Sequence, residues 1–228
     1  SALKNTSSSA SLLSALTIMF VLSTNMVGLI FTGMEHSLQV FAVILVGYGL
    51  ILESEHASVP RWLWFWIAVL PLIRYECAAI SASALAYLVM RTHFRLFLLS
   101  ALFLVIGVVG FSVFLSSLGL DPLPSSVVAK SSVVQSGGAL GRFVENLLTS
   151  IHHRQGVVLG VLGLVLLFWF GWAKEKRKRQ LALASLVAIF LHAIAGRYGW
   201  YHRYEIYVLA YGLMMVTYLT LPALCRAL

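Results

Sequence analysis

Apolar residues fall in long blocks along this chain, and polar residues interrupt them only in short stretches. Residues 11–31 form an apolar run that predicts a first membrane-spanning helix, closing at Gly33-Met34-Glu35. A second helix is predicted over 37–52, and the polar link 53–60 turns the chain back. Trp62, Trp64 and Trp66 follow, where amphipathic rings favour the headgroup level. The segment from Trp62 to Ile73 is only about 12 residues, roughly 18 Å of helix against a hydrocarbon core of about 30 Å. That shortness predicts Arg74-Tyr75-Glu76 at a helix break or cavity wall, sheltered from lipid.

Further apolar blocks at 77–90, 96–115, 157–172, 181–195 and 206–221 complete the pattern. The fold class is all-α, a polytopic transmembrane bundle of about eight crossings. Residues 116–155 are the one long hydrophilic stretch and read as the main outer loop. Within it Leu140, Phe143, Val144, Leu147, Leu148 and Ile151 recur at helical spacing, predicting a short amphipathic helix on the membrane. The whole of 1–228 reads as a single transmembrane domain.

Composition agrees: hydrophobic residues make up 60% and charged residues 11%, with a mean hydropathy of +0.92. The net charge of +8 would suggest nucleic acid in a soluble chain, but the strongest basic run, Lys174 to Arg179, reads as a short loop between two apolar spans. Nucleic-acid binding is therefore excluded as a reading. Placing Lys4, Arg61, Arg91, Arg95, residues 174–179 and Arg226 on the cytoplasmic side puts every mixed-sign cluster on the other face. Cys77 and Cys225 then lie near opposite faces, against a disulfide between them. The chain opens Ser1-Ala2-Leu3 with neither an initiator Met nor a signal-peptide pattern, which leads us to expect a fragment of a longer protein.

Each cluster has a chemical and a plain reading. Glu35 is a candidate to bind a metal or a sugar hydroxyl, or simply a first-turn acid stabilising the following helix. Arg74 and Glu76 wall a site or neutralise one another. Lys130, on the outer loop, reaches a lipid phosphate or is merely solvated. An aromatic belt explains Trp200 and the tyrosines of 197–207, including Tyr201, but explains Arg203 and Glu205 less well. Rings plus cations, with the imidazole of His202, suit a sugar carried on a phosphate. Adjacent His152 and His153 lack the i, i+4 spacing of a helical zinc pair.

In order along the chain, Gly33-Met34-Glu35, Leu72-Ile73-Arg74-Tyr75-Glu76, Leu123-Pro124-Ser125-Ser126-Val127-Val128-Ala129-Lys130 and Gly199-Trp200-Tyr201-His202-Arg203-Tyr204-Glu205 resemble a known family. These motifs are similar to those of the GT-C fold glycosyltransferases that use polyprenyl-phosphate-linked sugars, in their bacterial arabinofuranosyltransferase- and mannosyltransferase-like branch. Tyr75, Cys77 and Ser125 stand where the family has proline, glycine and asparagine. The family's catalytic acid on the first outer loop has no counterpart upstream of Glu35, and Asp121 is a poor substitute. No catalytic residue is therefore assigned within this chain, which is expected to lack the N-terminal helices and first outer loop of such an enzyme.

The resemblance implies transfer of a sugar from a polyprenyl-phosphate donor to a hydroxyl of a glycan or protein acceptor, on the outer side of a bacterial inner membrane. Lys130 and Arg203 would meet the donor phosphate, and Arg74 and Glu76 would shape the cavity floor. Glu35 would contact sugar or a divalent cation, no cofactor being fixed. Trp200, Tyr201 and His202 would line the acceptor side, with Glu205 beside them. The competing reading is a transporter or flippase-like protein for a lipid-linked or anionic solute; no internal repeat supports it, and the polar residues gather on one face. A structural subunit would need no convergence of acids and bases.

Overall fold

The computed structural model describes residues 14–15, 17–19, 22, 36–122, 139–196 and 205–227. The expected first span at 11–31 lies largely outside these, and its described residues are helical. Every other described element is helical too. In chain order they are α1 (His36–His56), α2 (Leu63–Ile73), a 3-10 turn (Tyr75–Cys77), α3 (Ala78–Met90), α4 (Phe94–Ser117), α5 (Ala139–His152), α6 (Arg154–Trp172), α7 (Lys176–Ala195) and α8 (Ile206–Ala227). Four of them, α1, α4, α6 and α7, are long and apolar enough to cross a membrane, while α2, Tyr75–Met90 and Ile206–Leu221 are shorter apolar helices.

The core lies between α1, α3, α7 and α8, where Val43, Val46, Leu50, Tyr87, Ala188 and Tyr211 are buried. Small residues let these helices approach closely, which replaces the hydrophobic drive that lipid does not supply. By contrast α4 is peripheral: 6% of its apolar stretch is buried, against 56% for α1. Its Leu98, Leu102, Ile106, Val109 and Val113 face outward, the surface expected of a helix solvated by acyl chains.

Two half-length helices position the polar turn. At 1.5 Å per residue, α2 and α3 are roughly 17 and 20 Å long. They form an antiparallel hairpin, in which Ser81 Oγ donates to the Ile67 carbonyl at 2.7 Å. At its open end Trp62 stacks on Tyr48 with ring centroids 6.4 Å apart. At its tip Arg74 meets His36, the first residue of α1. Pro71 removes a backbone donor from the last turn of α2, and Arg74 adopts an extended backbone (φ −152°, ψ 132°) that ends the helix. The short segment and the break at 74–76 are thus as the apolar pattern led us to expect.

Two expectations need correction. The link predicted at 53–60 begins later, because α1 continues to His56 and Glu53 is fully buried inside it. Its carboxylate is held there by side chains distant in sequence: Tyr87 Oη donates to Oε2, and Arg91 Nε donates to Oε1 at 2.9 Å, with His93 Nε2 at 3.0 Å. Secondly, Lys176 to Arg179 are not in a loop but form the first turn of α7. Trp64 packs edge-on against Phe103 and Trp66 against Phe41, along the helix flanks.

The chain turns sharply between α5 and α6. A Cβ on Gly156 would lie 1.8 Å from the Ser150 carbonyl oxygen, so only glycine permits this corner. Helix α5 packs on α6 and α7, and Asn146 Nδ2 donates to the Ile194 carbonyl at 3.1 Å. The expected amphipathic helix is present, with Val144, Leu148 and Ile151 exposed along one stripe.

Candidate functional site

At one end of the bundle the tip of the α2–α3 hairpin meets the start of α1, the end of α7 and the start of α8. Arg74 and Glu76 pair in bidentate fashion: Nε donates to Oε2 at 3.2 Å and Nη2 donates to Oε1 at 3.0 Å. Both side chains are nearly buried, with 9% and 4% exposure. Such a pair holds its turn because neither charge can be exposed or unpaired cheaply. Arg74 Nη1 also lies against the His36 ring, 3.1 Å from Nε2 and 3.3 Å from Nδ1, and His36 Nδ1 lies 3.2 Å from Gln39 Oε1. Gln39 Nε2 then donates to Cys77 Sγ at 3.2 Å, fixing the far side of the turn.

A second chain of contacts ties in α7 and α8. Tyr207 Oη donates to the Glu76 carbonyl at 2.5 Å, and His192 Nδ1 is 2.9 Å from the same phenol oxygen. Because the phenol hydrogen goes to Glu76, His192 Nδ1 is the donor in the second contact. Gly196 makes room for this ring, since a Cβ there would fall 2.4 Å from His192 Nδ1. Glu205, fully buried, accepts the Leu209 amide through its carbonyl at 2.9 Å and starts α8 two residues before Tyr207.

These residues border a cavity of about 280 Å³. Tyr75, Glu76, His192 and Tyr207 supply its polar and aromatic walls; Ala78, Ala79, Ala82, Leu191 and Ala195 supply a smooth apolar one. Its size is at the lower end of small-ligand pockets, roughly 300–1,000 Å³. The polar atoms behind its wall are engaged with one another, so the lining is held rigidly.

Of the residues expected from the sequence, Arg74 and Glu76 are joined directly, and Glu205 sits at the same end of the bundle. Glu35, Lys130, Trp200, Tyr201, His202 and Arg203 lie outside the described residues. His36, Gln39 and His192 were not singled out beforehand. A histidine one turn before a helix-ending glycine, inside an otherwise apolar run, was the available signal for His192. Cys77 is a buried free thiol. Among the described residues no group of three or more His, Cys, Asp or Glu is arranged to hold a metal ion. His152 is exposed, its Nδ1 2.8 Å from the Leu148 carbonyl.

The opposite end holds the Glu53 cluster. Gln180 joins α7 to it, accepting from Arg91 Nη1 at 3.4 Å and donating to the Met90 carbonyl at 3.2 Å. Arg61, Arg91, Arg95 and the cations of 174–179 all belong to this end, where the acids are Glu53, Glu55 and Glu175. The two ends thus differ in kind: one is strongly basic, the other a balanced polar junction beside a cavity. No family model matches this sequence, and no curated protein or solved structure matches it.

Proposed function

We propose that this chain forms part of a multi-pass membrane glycosyltransferase, which passes a sugar from a polyprenyl-phosphate donor to an acceptor hydroxyl on the outer side of a bacterial inner membrane. The observation that carries this reading is the buried Arg74–Glu76 turn beside a cavity of monosaccharide scale, at the end of the bundle opposite the basic residues. Half-buried Tyr75 offers a ring face to a sugar, while Tyr207 and His192, buried behind the cavity wall, hold it in shape. The four motifs that resemble those of polyprenyl-phosphate-dependent enzymes support the same reading. About eight crossings, with the basic end cytoplasmic, complete the proposed topology.

In the proposed reaction the acceptor oxygen bonds to the anomeric carbon, and the bond from that carbon to the phosphate oxygen breaks. Polyprenyl phosphate departs, and a general base takes the acceptor proton. Lys130 and Arg203 stabilise the charge gathering on the phosphate, and Glu35 contacts the sugar or a divalent cation. Trp200, Tyr201 and His202 hold the acceptor. Arg74 and Glu76 engage one another fully and so act as positioning residues that keep the cavity floor in shape. The base is not assigned to any residue of this chain.

The test uses the full protein in proteoliposomes with radiolabelled polyprenyl-phosphate arabinofuranose or mannose. Lys130→Gln and Arg203→Gln are expected to lower transfer on the order of 100-fold without loss of folded protein. Unchanged transfer in both variants would count against the assignment. Movement of the donor lipid across sealed vesicles without transfer would favour the transporter reading instead.

A further inference from the structure

The basic end carries a dense run of positive charge, and part of it has no acidic side chain within ion-pair distance among the described residues. Helix α7 begins with Lys176, Arg177, Lys178 and Arg179 and has no acid in its first turn. Cations there oppose the helix macrodipole, whose positive end lies at the N-terminus. Some of this charge is answered locally: Lys178 Nζ pairs with Glu175 at 3.0 Å, Arg177 Nη1 donates to the Glu55 carbonyl at 3.4 Å, and the Arg179 guanidinium lies 6.0 Å from the centre of the Phe170 ring. Lys174 and Lys176 are exposed, and neither has an acidic side chain within ion-pair distance among the described residues.

The end of α6 that leads into these lysines is apolar and aromatic. Trp172 is 71% exposed and stacks on Phe168 at 5.3 Å, and the exposed Leu164 and Val161 continue that surface along α6. Cations above an aromatic step, followed by an aliphatic wall of helix length, complement the order of groups in a lipid: anionic headgroup, glycerol region, acyl chain. Staples from Gln180 and Arg177 fix α1, α3 and α7 around the patch, so the cations are presented by a folded surface and not by a loose tail.

The geometry points to a binding site for an anionic glycerophospholipid at the start of α7, with Lys174 and Lys176 on its phosphodiester and the acyl chains along Trp172, Phe168 and Leu164 of α6. This site is separate from the cavity at the other end and does not depend on the glycosyltransferase reading. It requires only that the apolar helices lie in a bilayer.

The experiment is thermal unfolding of the full protein in neutral detergent, titrated with dioleoylphosphatidylglycerol or dioleoylphosphatidylcholine. The expected result is a saturable rise in Tm with the anionic lipid alone. In the Lys174→Gln/Lys176→Gln double variant the half-saturating concentration should rise about 30-fold, from roughly fivefold per cation. Arg154→Gln, an exposed change at the opposite end, should leave it unmoved. Equal responses to the two lipids, or a double variant that titrates like the unaltered protein, would overturn the site. Native mass spectrometry of the unaltered protein gives a second readout independent of variant folding. Retained phosphatidylglycerol should be lost at high salt, and its absence at low salt would also overturn the site.

Discussion

Glu53 is the clearest case of a residue whose role is set by partners far along the chain. An acid closing an apolar run reads as the start of a polar link, and by sequence pattern alone that is a sound expectation. The structure keeps it inside α1 because Tyr87, Arg91 and His93 satisfy both carboxylate oxygens. Local periodicity cannot register partners 34 to 40 positions away. Removing the carboxylate strands a partly buried cation and a buried phenol, so Glu53→Ala should cost about 3 kcal/mol, read as a drop in unfolding temperature in detergent. Glu55→Ala, on the exposed neighbour whose carboxylate accepts from Tyr218 Oη, should cost no more than about 1 kcal/mol. Equal effects of the two would contradict the buried-hub account. Arg74 and Glu76 were legible in advance because charges next to a segment too short to span must find shelter, and they do so in each other.

Among the elements, the half-length α2, the break at Arg74 and the amphipathic α5 were all legible, since apolar run length and spacing determine them. The start of α7 inside a basic run was not, because a run of like charge reads as a solvated loop. Turn geometry was equally hidden. Thr92, between α3 and α4, has φ 62°, a left-handed conformation that burdens a β-branched residue. It caps α3 as the His93 amide reaches the Leu88 carbonyl at 2.9 Å, and so places Arg91 and His93 on Glu53. Thr92→Gly should therefore raise stability by about 1 kcal/mol, the left-handed penalty less the added flexibility of the unfolded chain. A loss of stability in chemical or thermal unfolding would show that the threonine side chain matters more than its backbone strain. At the α5–α6 corner the sign reverses. Gly156→Ala should destabilise by about 1–3 kcal/mol, because the new methyl meets a carbonyl oxygen and one helix must shift.

Across the whole molecule, two polar ends are separated by an apolar bundle in which four helices are long enough to cross a membrane. The basic end holds a closed carboxylate hub and exposed lysines; the other end holds the Arg74–Glu76 turn and the cavity. The account's central claim is that this cavity opens on the outer face and receives the sugar donor there. Its most direct test is labelling of Ala78→Cys, on the cavity wall, and Lys176→Cys, at the basic end, with a membrane-impermeant maleimide in intact cells. The background is Cys225→Ser, with the buried Cys77 retained. The account predicts that Ala78→Cys is labelled in intact cells, that Lys176→Cys is labelled only after permeabilisation, and that a polyprenyl-phosphate sugar slows the first reaction alone. Labelling of Lys176→Cys from outside, or of Ala78→Cys only after permeabilisation, would contradict it, as would a cavity cysteine whose labelling ignores the donor.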